Sequence, residues 1–209
     1  MLKQYLESNK NKEDFFFIQI GAADGKSLDP IYDWVMNSKA KGLLIEPLEY
    51  LFDRLLDTYE RRPGLKFLPA AIGEDDGDCD FYYLEETKTW TDLLGTFTMD
   101  PVVIRKLNET VPGIESRYKK CTVDMYTFKT ALSIFDIDKS KIDFVVVDAE
   151  GQDYNILKQV FNECLPTAIL YEEFNLKVED KNSLRKLLKK SGYSLYPAEE
   201  NIFAIRNVT

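Results

Sequence analysis

Short apolar runs alternate along the chain with longer stretches in which apolar residues return every three or four positions. The runs have strand length and the longer stretches have helical spacing, which together predict βαβ units around a largely parallel sheet. Residues 15–20, FFFIQI, form an apolar run suited to a strand covered on both faces. After a Gly/Asp turn, Ser27 is placed to cap a helix carrying Leu28, Ile31, Trp34 and Val35, with Gly42 as its stop. Leu43–Ile45 is the second strand. Pro47 opens a second helix with Leu51, Phe52, Leu55, Leu56 and Tyr59 on one stripe, and Pro63-Gly64 ends it. A third strand is expected over Lys66–Ile72 and another over Asp80–Leu84. Strand pattern returns at Cys121–Met125, ahead of a helix starting near Thr127. Ile142–Val147 is the strongest strand in the chain. Asp153 is placed to cap the helix that follows, with Leu157, Val160, Phe161 and Cys164 on its inner face. Ala168–Tyr171 is the next strand, Leu184, Leu187 and Leu188 mark the last helix, and Gly192 stops it. Tyr193–Tyr196 and Ile202–Ile205 then read as an antiparallel pair.

Residues 85–118 interrupt this regularity. They hold a Trp-Thr cluster and one short helical pattern, Val102–Leu107, and long excursions of this kind are often binding loops or lids. The expected organisation is one domain over 1–209, with an N-terminal helix or arm over 1–14 and an acceptor-binding insertion over 85–118.

Composition narrows the chemistry. The 209 residues include no histidine, which excludes a Ser-His-Asp triad, a Cys-His pair and His-ligated zinc. Any general base must be Asp, Glu, Lys, Tyr or Cys. The net charge of −9 argues against nucleic-acid or anionic-membrane partners, both of which reward a basic surface. Cys79, Cys121 and Cys164 are far apart and odd in number, so free buried thiols are expected rather than disulfides. The first 14 residues are polar and lack the apolar core of a signal peptide, and no run approaches the ~20 residues of a membrane span. A cytoplasmic protein is the expectation.

Five strand ends carry candidate chemistry. Gly21 and Gly25, in IQIGAADG, let the backbone turn sharply and approach a ligand, although a plain βα turn needs the same residues. The spacing is GxxxG, so the dinucleotide fingerprint GxGxxG is absent. Glu46 ends the second strand 25 residues after Gly21, where a carboxylate accepts both hydrogen bonds of a ribose diol. Small residues in FLPAAIG leave room for a flat purine. In IDFVVVDAEGQD, Asp148, Glu150 and Asp153 crowd within six residues. Asp148 and Glu150 share one side if the extended backbone continues, and like charges this close raise at least one pKa. Glu172 and Glu173 end the next strand. Trp90, Thr91 and Thr96 belong to an aromatic, hydroxyl-rich loop able to close over a substrate.

The segments IQIGAADG, LLIEPLEYLFDRL, FLPAAIGEDDG and IDFVVVDAEGQDYNIL together resemble the FkbM family of S-adenosylmethionine-dependent methyltransferases, over roughly residues 15–206. The resemblance implies a Rossmann-like class I α/β fold: a mostly parallel seven-stranded sheet, a C-terminal antiparallel hairpin and helices on both faces. It implies that Gly21, Ala22 and Gly25 lie beneath the methionine part of the cofactor, that the Glu46-Pro47 pair meets the ribose, and that Ala71-Ile72 borders the adenine. Asp148 and Glu150 would face the transferring methyl group. The position of Gln19 is often acidic in this family. Asp24 or Asp148 is then expected to hold the cofactor's amino group, beside Gln19.

The expected activity is methyl transfer from S-adenosyl-L-methionine to an oxygen of a small molecule or glycan. Asp148 and Glu150 are the first candidates for base and Glu172 the next, with Trp90, Thr91, Thr96 and Glu173 facing the acceptor. A divalent cation held by Asp148 and Glu150 is possible chemistry but is not expected. The alternatives are a metal-dependent nucleotide-sugar glycosyltransferase using that acidic pair, a nicotinamide-dependent oxidoreductase, and a non-catalytic cofactor-binding module.

Overall fold

The structure is a computed structural model and describes residues 1–84, 95–96, 105, 108–109 and 111–207. Its centre is a seven-stranded sheet. The strands are β1 (Phe16–Ile20), β2 (Lys41–Ile45), β3 (Leu65–Leu68), β8 (Ile142–Val147), β9 (Ala168–Glu172), β10 (Tyr193–Ala198) and β11 (Asn201–Arg206). Their order is β10-β11-β9-β8-β1-β2-β3. The five strands from β9 to β3 run parallel, and β11 pairs antiparallel with both β9 and β10.

Alternation along the central strands sorts side chains onto two faces. Ile18 and Ile20 of β1 join Leu43, Ile45, Val145 and Val147 on one face. There they pack against α4 (Phe128–Ile134), α5 (Asp153–Glu163) and α6 (Val178–Lys190). Phe17, Leu44, Phe144 and Val146 point the other way, onto α1 (Leu2–Asn9), α2 (Tyr32–Asn37) and α3 (Glu49–Tyr59). Burying each of these side chains stabilises the fold by roughly 1.5–3 kcal/mol. Gly42 lies inside β2, not at a helix end, because the Phe17 ring occupies the space a Cβ would need, 2.4 Å away.

A second sheet was not foreseen. The segment expected to be one strand over 66–72 divides at Pro69-Ala70. Proline cannot donate to a ladder, and the chain leaves the main sheet there. β4 (Ala71–Ile72) instead joins β7 (Tyr118–Tyr126), β5 (Gly77–Leu84) and β6 (Gly95–Thr96) in the order β4-β7-β5-β6.

Two helix starts also differ. α2 begins at Tyr32, and Ser27 is no cap: its hydroxyl donates to Asp24 at 2.6 Å. Ile31 is the cap residue, and Asp29 ahead of it accepts the Ile31 N–H at 2.8 Å, while Leu28 is left 81% exposed. Asp153 is the first residue of α5 rather than its cap. Its Oδ1 accepts the backbone N–H of Glu172 at 3.3 Å, tying α5 to the end of β9. Of the expected helix at Val102–Leu107 only Arg105 is among the described residues, and it is helical. The three cysteines are free and half-buried, not fully buried. Among the described residues no helix is long and apolar enough to cross a membrane.

Candidate active site

The carboxyl ends of β1, β2, β8 and β9 converge on a cavity of about 360 Å³, within the ~300–1,000 Å³ range of small-molecule sites. Gly21 makes the convergence possible. Its φ is +77°, and a Cβ there would lie 1.8 Å from the Asp148 carbonyl oxygen. The ends of β1 and β8 therefore touch backbone to backbone, and the Asp148 N–H donates to the Ile20 carbonyl at 3.0 Å. On the other side, the Gly21 and Ala22 N–H groups both donate to the Ile45 carbonyl.

Glu46 is 4% exposed and lines the cavity. Its Oε2 accepts the Ala23 N–H and its Oε1 the Leu48 N–H, each at 2.9 Å. Each oxygen keeps one lone pair, so the carboxylate is fixed in place without being saturated. Burial, with a smaller push from Asp148, raises its pKa to about 7 against the two backbone donors.

Asp148 opens into the cavity and is solvent-exposed on that side, with protein walls around it. Burial first, then Asp29 and Glu200, raise its pKa to about 6. β8 ends at Val147 and Glu150 takes a left-handed backbone with φ +48°, so the extended run does not reach Glu150. Both side chains nevertheless reach the cavity. Glu150 Oε2 accepts Asn175 Nδ2 at 2.7 Å, and the same nitrogen donates to Glu172 Oε2 at 3.1 Å. Burial, then Asp148, Glu172 and Asp153, hold the Glu150 carboxyl well above its ordinary range.

Among the described residues, six carboxylates line the cavity (Asp29, Glu46, Asp148, Glu150, Glu172 and Glu200) and no Lys or Arg does. A cavity so charged favours a cationic occupant. No group of three or more Asp, Glu or Cys side chains among the described residues is arranged to hold a metal ion.

Gln19, Gly21, Ala22, Glu46, Pro47, Ala71, Ile72, Asp148, Glu150 and Glu172 all line the cavity. Asp24 does not. It closes its own turn, accepting the Lys26 and Ser27 N–H groups at 2.9 and 2.7 Å, so it is not placed to hold a ligand's amino group. Gly25 stands behind the lining. A Cβ there would meet Leu55 at 2.5 Å and Tyr59 at 2.7 Å, so it serves the packing of the turn on α3. Glu173 points away, accepting from the Tyr171 hydroxyl at 2.9 Å and from Arg185 Nε at 2.8 Å. It is a structural clamp between β9 and α6 rather than an acceptor contact. Thr96 is buried beside the cavity-lining Gly95 without lining the cavity itself. Trp90 and Thr91 lie outside the described residues.

Asp29, Asn175, Glu200 and Asn201 also line the cavity and were not anticipated. Asp29 had a visible signal: an acid before proline is held out of helical geometry and suits the turn ahead of a helix. Glu200 and Asn201 sit at the turn between β10 and β11, and only the folded hairpin brings them to β8.

The sequence model of a family described as the methyltransferase FkbM domain matches residues 19–195. A methyltransferase FkbM from Methylobacillus flagellatus KT has a similar structure, with a TM-score of 0.54 at 14% identity. The match covers 92% of this chain and 44% of that one, so the chain spans under half the length of that relative. An O-methyltransferase from Bacillus cereus, solved in complex with SAH, is similar with a TM-score of 0.52 at 11% identity, over 99% of this chain and 80% of that one. No curated protein matches the sequence.

Proposed function

The chain belongs to the FkbM methyltransferase family, and from that premise we propose that it moves a methyl group from S-adenosylmethionine to an oxygen of a small molecule or glycan. The observation that carries this reading is the cavity where β1, β2 and β8 end, lined among the described residues by six carboxylates and by no Lys or Arg. The cofactor supplies a methyl group on a cationic sulfonium, already activated for displacement. Three features fit it: a glycine turn with no room for a side chain at Gly21, a buried carboxylate at Glu46 with two lone pairs to spare, and small or flat walls at Ala71 and Ile72.

Residue roles follow from these positions. Glu46 accepts the hydroxyls of the ribose, and Pro47 keeps it extended at the end of β2. Gly21 and Ala22 give the cofactor's amino-acid end a backbone surface to lie against. Ala71 and Ile72 border the purine. Glu150 is the base for a hydroxyl acceptor. Its raised pKa makes it a stronger proton acceptor than an ordinary carboxylate, and Asn175 holds Oε2 so that the proton is taken at Oε1. Glu172 accepts the second N–H of the same Asn175 amide, which holds it beside Glu150 as the next candidate for base. Alignment of acceptor and methyl group, with water excluded, supplies most of the remaining rate. The segment 85–118 shapes the acceptor subsite.

Calorimetry with S-adenosylhomocysteine tests the cofactor reading, and absence of binding at millimolar concentration refutes it. Glu150→Gln tests the base. Methyl transfer to an authenticated acceptor should fall about 10²–10⁴-fold while S-adenosylhomocysteine affinity stays within a few-fold. Unchanged turnover removes Glu150 from that role.

A further inference from the structure

Two of the large apolar side chains left in solvent also line the cavity: Leu28, 81% exposed, and Phe174, 53% exposed. A single exposed apolar residue is ordinary. These two stand on separate loops at one cavity. Leu28 follows β1 and Phe174 follows β9, and β8 lies between those strands in the sheet. The two loops therefore start two strand spacings apart, roughly 10 Å. Between them is the end of β8, where Asp148 and Glu150 stand.

Leu28 is also held in a left-handed backbone, with φ +59°. Glycine or asparagine adopts that conformation at less cost than leucine. The side chain is mostly outside the core, so packing within the fold does not offset the strain. Strain of this kind at a cavity points to a functional contact. Two apolar groups grip a flat ring when they stand about 7–8 Å apart, with each face in contact at about 3.5–4 Å. The lining between them is acidic: six carboxylates and no Lys or Arg among the described residues. The donor brings one net positive charge, so a negatively charged acceptor would be repelled without finding a cation.

We propose that Leu28 and Phe174 are the two jaws of the acceptor subsite, and that the acceptor is a ring that bears the hydroxyl and carries no acid group. The inference rests on the methyl-transfer reading above and names the acceptor class for it. The jaws hold the ring by its faces, over the end of β8, with its hydroxyl toward Glu150.

The test is NMR on the full chain, with carbon-13 methyl labels on leucine and saturating S-adenosylhomocysteine. The Leu28 signals are those lost in Leu28→Asn. Four rings serve as probes: phenol, methyl β-glucoside and their acid-bearing counterparts, para-hydroxybenzoate and methyl β-glucuronide. Sorbitol is the open-chain control. Phenol or methyl β-glucoside should shift the Leu28 signals saturably at millimolar concentration, and the one that does so shows whether the ring is aromatic or a sugar. Its acid-bearing counterpart should bind at least about 10-fold more weakly, and sorbitol should leave the signals in place. Phe174→Ala should weaken the bound ring about 3- to 10-fold. Asparagine suits the backbone of residue 28, so Leu28→Asn should keep the urea midpoint of wild type. Unmoved Leu28 signals with both uncharged rings overturn the inference, as does an equal response to sorbitol or to the acid-bearing ring. Unchanged affinity in Phe174→Ala overturns the pair of jaws, and a lowered urea midpoint in Leu28→Asn makes Leu28 a packing residue and overturns its assignment. Calorimetry reads S-adenosylhomocysteine separately: if it does not bind, the cofactor reading falls and this inference with it, whereas binding without a Leu28 response overturns this inference alone.

Discussion

The ligand-free protein should lose stability as pH rises from 5 to 8. Glu46 is ordinarily half-protonated at pH 4.5 and in the fold at about 7, because burial outweighs its two backbone donors. Asp29 moves likewise from 3.8 to about 6. Both groups hold their proton more tightly folded than unfolded. Their contribution to stability is therefore complete below about pH 4 and is lost as pH climbs through the folded values. At 1.36 kcal/mol per pKa unit, the window from pH 5 to 8 costs roughly 2.5 kcal/mol for Glu46 and roughly 1.4 kcal/mol for Asp29 before discounting its partial exposure. For a chain of this length, about 3–4 kcal/mol corresponds to a Tm lower by on the order of 10 °C. Asp24, held below its ordinary range by the Ser27 and Lys26 donors, acts in the opposite sense, but its change is finished below this window. Thermal melts followed by circular dichroism at fixed ionic strength read the effect directly. Glu46→Gln separates slope from level: its Tm is lower, because an amide NH₂ must face a backbone N–H, but its decline with pH should be shallower than that of wild type, the remainder coming from Asp29, Asp148 and Glu150. A wild-type Tm that is flat or rises between pH 5 and 8 refutes the reasoning.

Gly21→Ala must push β1 from β8 and adopt φ +77° with a side chain. A loss of at least about 3 kcal/mol in urea unfolding is expected, with S-adenosylhomocysteine binding reduced even where the variant folds. Glu173→Ala leaves the Tyr171 hydroxyl and Arg185 without their shared acceptor. It should cost about 1–3 kcal/mol and leave S-adenosylhomocysteine affinity unchanged, whereas a selective loss of acceptor turnover would restore Glu173 to the active site. Gly42→Ala places a methyl against the Phe17 ring. It should lower stability by about 1–3 kcal/mol, and an unchanged urea midpoint would show that the ring has room to move.

The strand ends were readable because each is marked locally. An apolar run closes on Gly21, on Glu46-Pro47 and on Asp148, and a parallel sheet gathers such ends on one edge. What escaped reading depends on contacts distant in the chain. Asp24 and Asp29 are both acids in the same loop, and nothing in their spacing says that Ser27 and Lys26 occupy the first while Gln19 reaches the second. Glu173 follows Glu172 directly, and strand alternation sends one into the cavity and the other to Arg185. The division at Pro69 was also written in the sequence, but one proline looks the same at a strand edge as at a transfer between sheets.

The pairing of β5 with β7 brings Leu84 opposite Tyr118. The segment proposed to choose the acceptor, which also contributes β6, thus begins and ends at a single rung of one ladder. Lengthening a loop between fixed ends is cheap, about 0.6 kcal/mol for each doubling. Substrate range can therefore drift by insertion, deletion or exchange of this segment, while the parallel sheet and its carboxylates keep their register. On the proposed assignment, segment 85–118 is the part in which new acceptors can be tried while the carboxylates at the ends of the parallel strands stay in place.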